Sequence, residues 1–123
     1  GPALTSADAA QEQDQLRLEG LADRRAQQAA AAQPPTIPDL ITAAFTPLGP
    51  DALTWARRVA FCESTYNPGA VNTESGASGL FQFMPATWAS SPFAASSPFD
   101  PAANSQAAAW LYQKYGPSQW DCQ

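Results

Sequence analysis

Residues 62–88, CESTYNPGAVNTESGASGLFQFMPATW, change character three times within one short stretch. They begin where an apolar run stops. Upstream, LGPDALTWARRVAFCES (residues 48–64) reads as the main helix of the chain, with Pro50 near its start. Its apolar row at Trp55 and Val59 arrives, four residues on, at Glu63, so an acid continues the stripe that should face the core. Asn67-Pro68-Gly69, Gly76 and Gly79 then supply backbone freedom and predict a Gly-rich loop with a small irregular β-hairpin. Pro85 reopens a helix at MPATW.

Toward the C-terminus, ASSPFAASSPF (residues 89–99) is a Ser/Pro loop. Asp100-Pro101 forms a cap and first residue for a helix over residues 101–115, which Gly116-Pro117 ends. Toward the N-terminus, Pro38 suits the first turn of a short helix in which DLITAAF (residues 39–45) carries Leu40, Ile41, Ala44 and Phe45 on one side. QPPTIP before it reads as a stiff linker. Residues 3–33 are Ala/Gln-rich, with Leu4, Leu16, Leu18 and Leu21 as their only large apolar side chains and no sustained heptad. They read as a solvated helix or a disordered tether, with a docking helix as the alternative. Gly1-Pro2 reads as the scar of a cleaved expression tag, so the lack of a signal segment is uninformative about export. The expected organisation is therefore a scar (1–2), a tether (3–38) and one mainly α domain (39–123).

The 123 residues allow one small core, and the first aromatic residue is Phe45, which places that core in the C-terminal part. A net charge of −5 argues against nucleic acid or anionic lipid as a partner, since both need a basic surface. No run of about 20 apolar residues is present to span a membrane. The chain has no His, which removes His-based metal sites and Ser-His or Cys-His catalysis, and no cofactor is expected. Cys62 and Cys122 suit a disulfide, with two buried thiols as the alternative. Closing so long a loop is worth about 4 kcal/mol in the chain-entropy model, and it implies an oxidising compartment.

Glu63 is the chemical centre of this reading. The end of a helix presents the negative pole of its macrodipole, and an apolar stripe desolvates what continues it; both keep a carboxyl protonated. A protonated carboxyl near neutral pH can act as a general acid. On position alone, a Glu at a helix end is more often a solvated residue or a local hydrogen-bond acceptor.

The surrounding residues favour catalysis. Glu63-Ser64, Asn67-Pro68, Gly76-Ala77-Ser78-Gly79-Leu80, Gln82 and Met84-Pro85-Ala86-Thr87-Trp88 resemble, in order and spacing, the core motif of soluble, goose-lysozyme-like lytic transglycosylases. The Cys before the Glu and the terminal QWDC are also similar to resuscitation-promoting-factor domains, compact lysozyme-like modules with this same Cys pair. The resemblance implies a lysozyme-like fold, strengthens the Cys62–Cys122 pairing, and makes peptidoglycan glycan strands the substrate. It makes Glu63 the catalytic acid and puts Gln82 and Thr87 in the glycan cleft. Asn72 stands where larger relatives have Ser. The family's downstream Ala-Tyr-Asn-Ala-Gly motif is missing, so Tyr112 and Tyr115 are only spatial substitutes for its tyrosine.

The expected reaction is cleavage of the MurNAc-β-1,4-GlcNAc bond with closure of a 1,6-anhydro ring, Glu63 acting as acid and then as base. A muramidase would need a second carboxylate, for which Glu74 and Asp100 are the candidates, Glu74 read as solvated and Asp100 as a helix cap. A glycan-binding module that has lost turnover is the non-enzymatic alternative. Phe83, Trp88, Tyr112 and Trp120 are candidate sugar platforms, although so small a domain needs its aromatics in the core. A secreted or wall-associated monomer is expected, from a bacterium or a phage, with the N-terminal segment as a tether or partner contact.

Overall fold

A computed structural model describes residues 6–32 and 34–123. Gly1-Pro2, read from the sequence as a scar, lies outside the described residues. The chain divides into two units, residues 1–34 and 35–123.

In the first unit, helix α1 spans Ser6–Ala32. Good helix formers carry it, with Gln15 donating to Glu19 at 3.4 Å and Arg17 paired with Asp14 at 3.7 Å. Leu16 and Leu18 are exposed, as expected for a helix without an apolar stripe. Among the described residues no helix is long and apolar enough to cross a membrane.

The second unit is helical. Helix α2 spans Ile37–Phe45, with Pro38 in its first turn as the sequence suggested. Thr36 is its N-cap: the Thr36 hydroxyl accepts from Asp39 N and the Asp39 carboxylate accepts from Thr36 N, a reciprocal capping box. Part of the presumed linker is thus the helix start. A 3-10 turn, Thr46–Leu48, leads through Gly49 into α3, Pro50–Ser64. The short α4, Pro85–Ser90, and the longer α5, Pro101–Tyr115, follow, and a 3-10 turn, Pro117–Gln119, precedes the C-terminal segment. Asp100 caps α5 by accepting from Ala102 N at 3.0 Å, the role the sequence suggested for it. The expected hairpin does not form strands. The Gly-rich loop makes only two isolated antiparallel bridges, Val71 to Ser78 and Ser78 to Phe83, because its positive-φ turns at Gly76 and Gly79 interrupt any ladder.

The core lies where α2, α3 and α5 meet under this loop. Ile41, Phe45, Val59, Leu80 and Phe81 are fully buried. Ala103, Ala107 and Ala108 give α5 a small-residue face, and α2 packs against this helix. Aromatic rings fill the rest: Phe45 lies 5.8 Å from Phe81, and Trp55 lies 4.9 Å from Trp120. Such stacked and edge-on pairs contribute beyond the area they bury.

One polar side chain sits inside this core. Asn104 is fully buried; its Oδ1 accepts from Phe81 N at 2.9 Å and its Nδ2 donates to Pro98 O at 2.8 Å and Ser78 O at 3.3 Å. Gly79 has φ +82, and a Cβ there would collide with Pro98 O and Asn104 Nδ2. Gly116 also has a positive φ, but a Cβ there meets nothing.

These contacts predict four outcomes in denaturant titrations. Asn104→Ala leaves the buried Phe81 N–H without a partner and costs about 3 kcal/mol. Gly79→Ala costs more than Gly116→Ala: Gly116, at φ 76 and ψ −168, occupies a region essentially reserved to glycine, which costs an alanine about 1–3 kcal/mol, and Gly79 adds the collision of its Cβ with Pro98 O and Asn104. Replacing both Cys62 and Cys122 by Ser costs about 4 kcal/mol.

Candidate active site

Glu63 lies in the last turn of α3 and is half-buried. The helix ends immediately after it: Ser64 is buried with its hydroxyl donating to Ala60 O at 2.9 Å, and Thr65 and Tyr66 follow at φ 52 and φ 60. Left-handed backbone at two successive non-glycine residues is costly, and it turns the chain sharply out of the helix beside the acid. Gln82, at φ 51, is the third such residue, and it lines the same cleft. Strained backbone therefore gathers around Glu63.

The C-terminal segment closes over the acid from the other side. Cys62 and Cys122 are disulfide-bonded, with Cα atoms 5.8 Å apart. This bond brings Cys122 N to Glu63, where it donates to Oε1 at 3.3 Å. Trp120 is anchored beside it, its Nε1 donating to Phe81 O at 3.0 Å. The Glu63 carboxyl is held above the usual glutamate range: burial is the main cause, the Asp121 charge adds to it, and the Cys122 N–H opposes both. Because Oε1 is occupied by a donor, the proton of the neutral acid belongs on Oε2.

Two open chambers meet at Glu63. One, of about 400 Å³, is walled by Asn72, Gln82, Met84, Gln119 and Asp121, with Trp120 behind them. The other, of about 690 Å³, runs past Thr65, Asn67 and Val71. Glu63, Asn72 and Gln82 line both, which makes a continuous groove with the acid at its middle.

Gln82 and Asn72 spend part of their hydrogen-bonding capacity on the loop itself. Gln82 Nε2 donates to Ala70 O at 3.0 Å and Gly79 O at 2.9 Å, so its Oε1 is the atom left for a ligand. Asn72 Oδ1 accepts from Glu74 N and Ser75 N, which leaves its amide nitrogen as the donor. The two side chains thus offer the groove an acceptor and a donor.

Other sequence candidates lie elsewhere. Thr87 is half-buried in α4 and lines a hollow of about 50 Å³ that shares Gln82 and Trp120 with the first chamber. Phe83 is 3% exposed and packs edge-on to Trp88 at 5.3 Å, so it is a core residue whose edge reaches that hollow. Tyr112 packs on Trp55 at 4.6 Å and on Phe45 at 6.0 Å and lines neither chamber; α5 turns it to the core. Tyr115 is exposed beside Lys114. Of the four aromatic platforms, Trp120 alone lines the Glu63 chambers.

Sequence reasoning missed the carboxyl that shares a chamber with Glu63. Glu74 is exposed and lines neither chamber, and Asp100 caps α5, whereas Asp121 lines the first chamber with Glu63. The signal was available: Asp121 adjoins Cys122, and Cys122 pairs with the neighbour of Glu63.

The sequence model of the transglycosylase SLT domain matches residues 52–121, which reach from the first turn of α3 to Asp121 and include every residue lining the groove except Cys122. No curated protein and no solved structure matches the chain. With that match over more than half of its length, a mainly helical, lysozyme-like fold and an acid at the centre of an open groove, the chain belongs to the transglycosylase SLT domain family, the soluble lytic transglycosylases that cleave the peptidoglycan of the cell wall.

Proposed function

We propose that this protein cleaves the MurNAc-β-1,4-GlcNAc bond of peptidoglycan and leaves 1,6-anhydro-MurNAc ends, with Glu63 as general acid and then general base. The observation that carries this reading is the half-buried Glu63, its Oε1 held by Cys122 N and its other oxygen free, at the junction of two open chambers. A glycan strand lying along the groove would present one sugar to each chamber.

In the first step Oε2 gives its proton to the bridging oxygen as an oxocarbenium-like state develops. The substrate's own acetamido group stabilises that state, and the acceptor on Gln82 and the donor on Asn72 suit the N–H and C=O of such a group. The Glu63 carboxylate then takes the proton of the muramic acid C6 hydroxyl, whose oxygen closes the anhydro ring. No water is consumed. The Cys122 N–H stabilises the carboxylate between the two steps, while burial favours return of the proton.

A second reading, a muramidase, draws on the presence of Asp121 in the same chamber. Paired-carboxylate hydrolysis sets its two acids about 5–5.5 Å or about 6.5–9.5 Å apart on either side of the bond. The products decide between the readings. The disulfide suits an oxidising, extracellular setting, and the residues before Pro35 would serve as a tether or partner contact.

Digestion of purified peptidoglycan followed by mass analysis of the muropeptides is expected to show anhydro ends, lighter by one water. Predominantly reducing ends would establish the muramidase instead. Glu63→Gln is expected to lower turnover by at least about 100-fold, the scale of general acid catalysis, and to leave the fold intact.

The same residue makes stability pH-dependent. The folded state raises the Glu63 pKa, so its contribution is complete below the unfolded value and is lost as pH rises through the folded one. Glu63→Gln, which imitates the protonated acid, should therefore melt no lower than wild type at neutral pH. Activity should decline over the same rise in pH, and a rate that grows through it would contradict the general-acid role.

A further inference from the structure

We infer that the outer face of α3 beside the groove is a docking surface for the peptide stems of peptidoglycan: Arg57, Arg58 and Phe61 receive the anionic stem of a strand whose sugars lie in the two chambers. This rests on the groove binding a glycan strand and is independent of how the bond is cleaved.

Charge is unevenly distributed over this unit. Residues 35–123 carry six acids, Asp39, Asp51, Glu63, Glu74, Asp100 and Asp121, and three bases, Arg57, Arg58 and Lys114. None of the bases lines either chamber, whose walls hold two carboxyl groups, Glu63 and Asp121. Lys114 lies on α5 over the Trp110 and Tyr115 rings. The other two are adjacent on α3 and exposed, and among the described residues neither is paired with a carboxylate. Arg57 donates to Thr42 Oγ1 at 2.8 Å, which leaves most of its fork for a ligand.

The helix sets these residues against the groove. Arg58 stands four residues before Cys62, so the two share a face of α3 and lie about 6 Å apart along its axis. Cys62 lines the chamber of about 690 Å³. Phe61 stands in the same relation to Thr65, which lines that chamber as well. Its ring is 57% exposed yet held in place: it meets Tyr66 edge-on at 5.5 Å, and the Tyr66 hydroxyl donates to Arg57 O at 3.1 Å. A fixed apolar ring beside two unpaired cations therefore borders the larger chamber.

The chemistry of the strand selects the occupant. A stem branches from the lactyl group of muramic acid and carries free carboxylates. The groove has no cation to receive them, and its own carboxyl groups oppose them; the forks of Arg57 and Arg58 match a carboxylate in shape and charge. Phe61 offers a surface to the apolar part of the peptide. Pairs this exposed act mainly on association and on its salt dependence.

The test uses the full chain and two soluble glycan preparations. One keeps its peptide stems; the other is stripped of them, with each lactyl carboxyl converted to its N-methylamide so that no new charge remains. Wild type is expected to show a kcat/KM about 3- to 10-fold higher on the stem-bearing strands at low salt, an advantage that shrinks as salt is added. Arg58→Gln should lower kcat/KM on stem-bearing strands about 2- to 5-fold through KM and leave the stem-free rate unchanged. Arg58→Lys, which keeps the charge, should retain most of the advantage. Equal wild-type rates on the two preparations would overturn the inference, and so would an Arg58→Gln loss of the same size on both. An advantage that survives in the Arg58→Gln, Phe61→Ala double variant would place stem recognition elsewhere and overturn it too. Calorimetric binding of both preparations to Glu63→Gln repeats the comparison without turnover. Reducing ends or an active Glu63→Gln would therefore sink the lyase reading while leaving the stem preference measurable.

Discussion

The amide of Asn104 fills the space that a Cβ at Gly79 would need, and the position of the Gly-rich loop over the core depends on that close approach. Phe81 shows why. Its N–H is taken by Asn104 Oδ1 and its C=O by Trp120 Nε1, so one buried residue of an irregular loop has both backbone groups satisfied by side chains from distant parts of the chain. A buried loop without a ladder must find such partners or lose its hydrogen bonds outright. Helix α5 and the C-terminal segment supply them. The loop then holds Asn72 and Gln82 along the groove, and the anchored Trp120 leads directly into Asp121 and Cys122.

The acid is controlled by the same C-terminal segment. Its covalent link is to the residue before Glu63, its amide bonds the carboxyl, and its aspartate faces the same chamber. A small domain with little apolar area to bury gains rigidity from the disulfide, and the site gains a defined electrostatic neighbour. Stability and acid chemistry therefore draw on one short stretch of chain. The left-handed residues Thr65, Tyr66 and Gln82 concentrate backbone strain around the groove, where the rest of the fold has to hold it in place.

Much of this was legible in local signals. Pro50, Pro85, Asp100-Pro101 and Gly116 mark helix ends through effects that act over one turn, and the helices begin and stop there. The row Trp55, Val59, Glu63 foretold an acid at the edge of the core. The motif around Glu63 matched the family that the chain belongs to. The hairpin did not form, since strand pairing depends on partners across the loop and two glycine turns leave room only for isolated bridges. Pro38 marked the first turn of α2, and only its N-cap went unread, because the consecutive prolines concealed the capping box of Thr36 and Asp39. Tyr112 and Phe83 went to the core because aromatic character is the same in either place, and only packing distinguishes a sugar platform from a core ring.

By itself the sequence determined the helix order, the family, the acid at the end of α3 and a cysteine pair suited to a disulfide, because each is written in short-range spacing or in residue type. The tertiary structure alone decided that Asn104 holds the loop, that Gln82 turns its nitrogen to the backbone and keeps its oxygen for the groove, and that Asp121 is the second carboxyl of the cleft. Those facts depend on contacts between residues far apart in the chain, where the free energy of a buried hydrogen bond or a facing charge is set by what surrounds it in space.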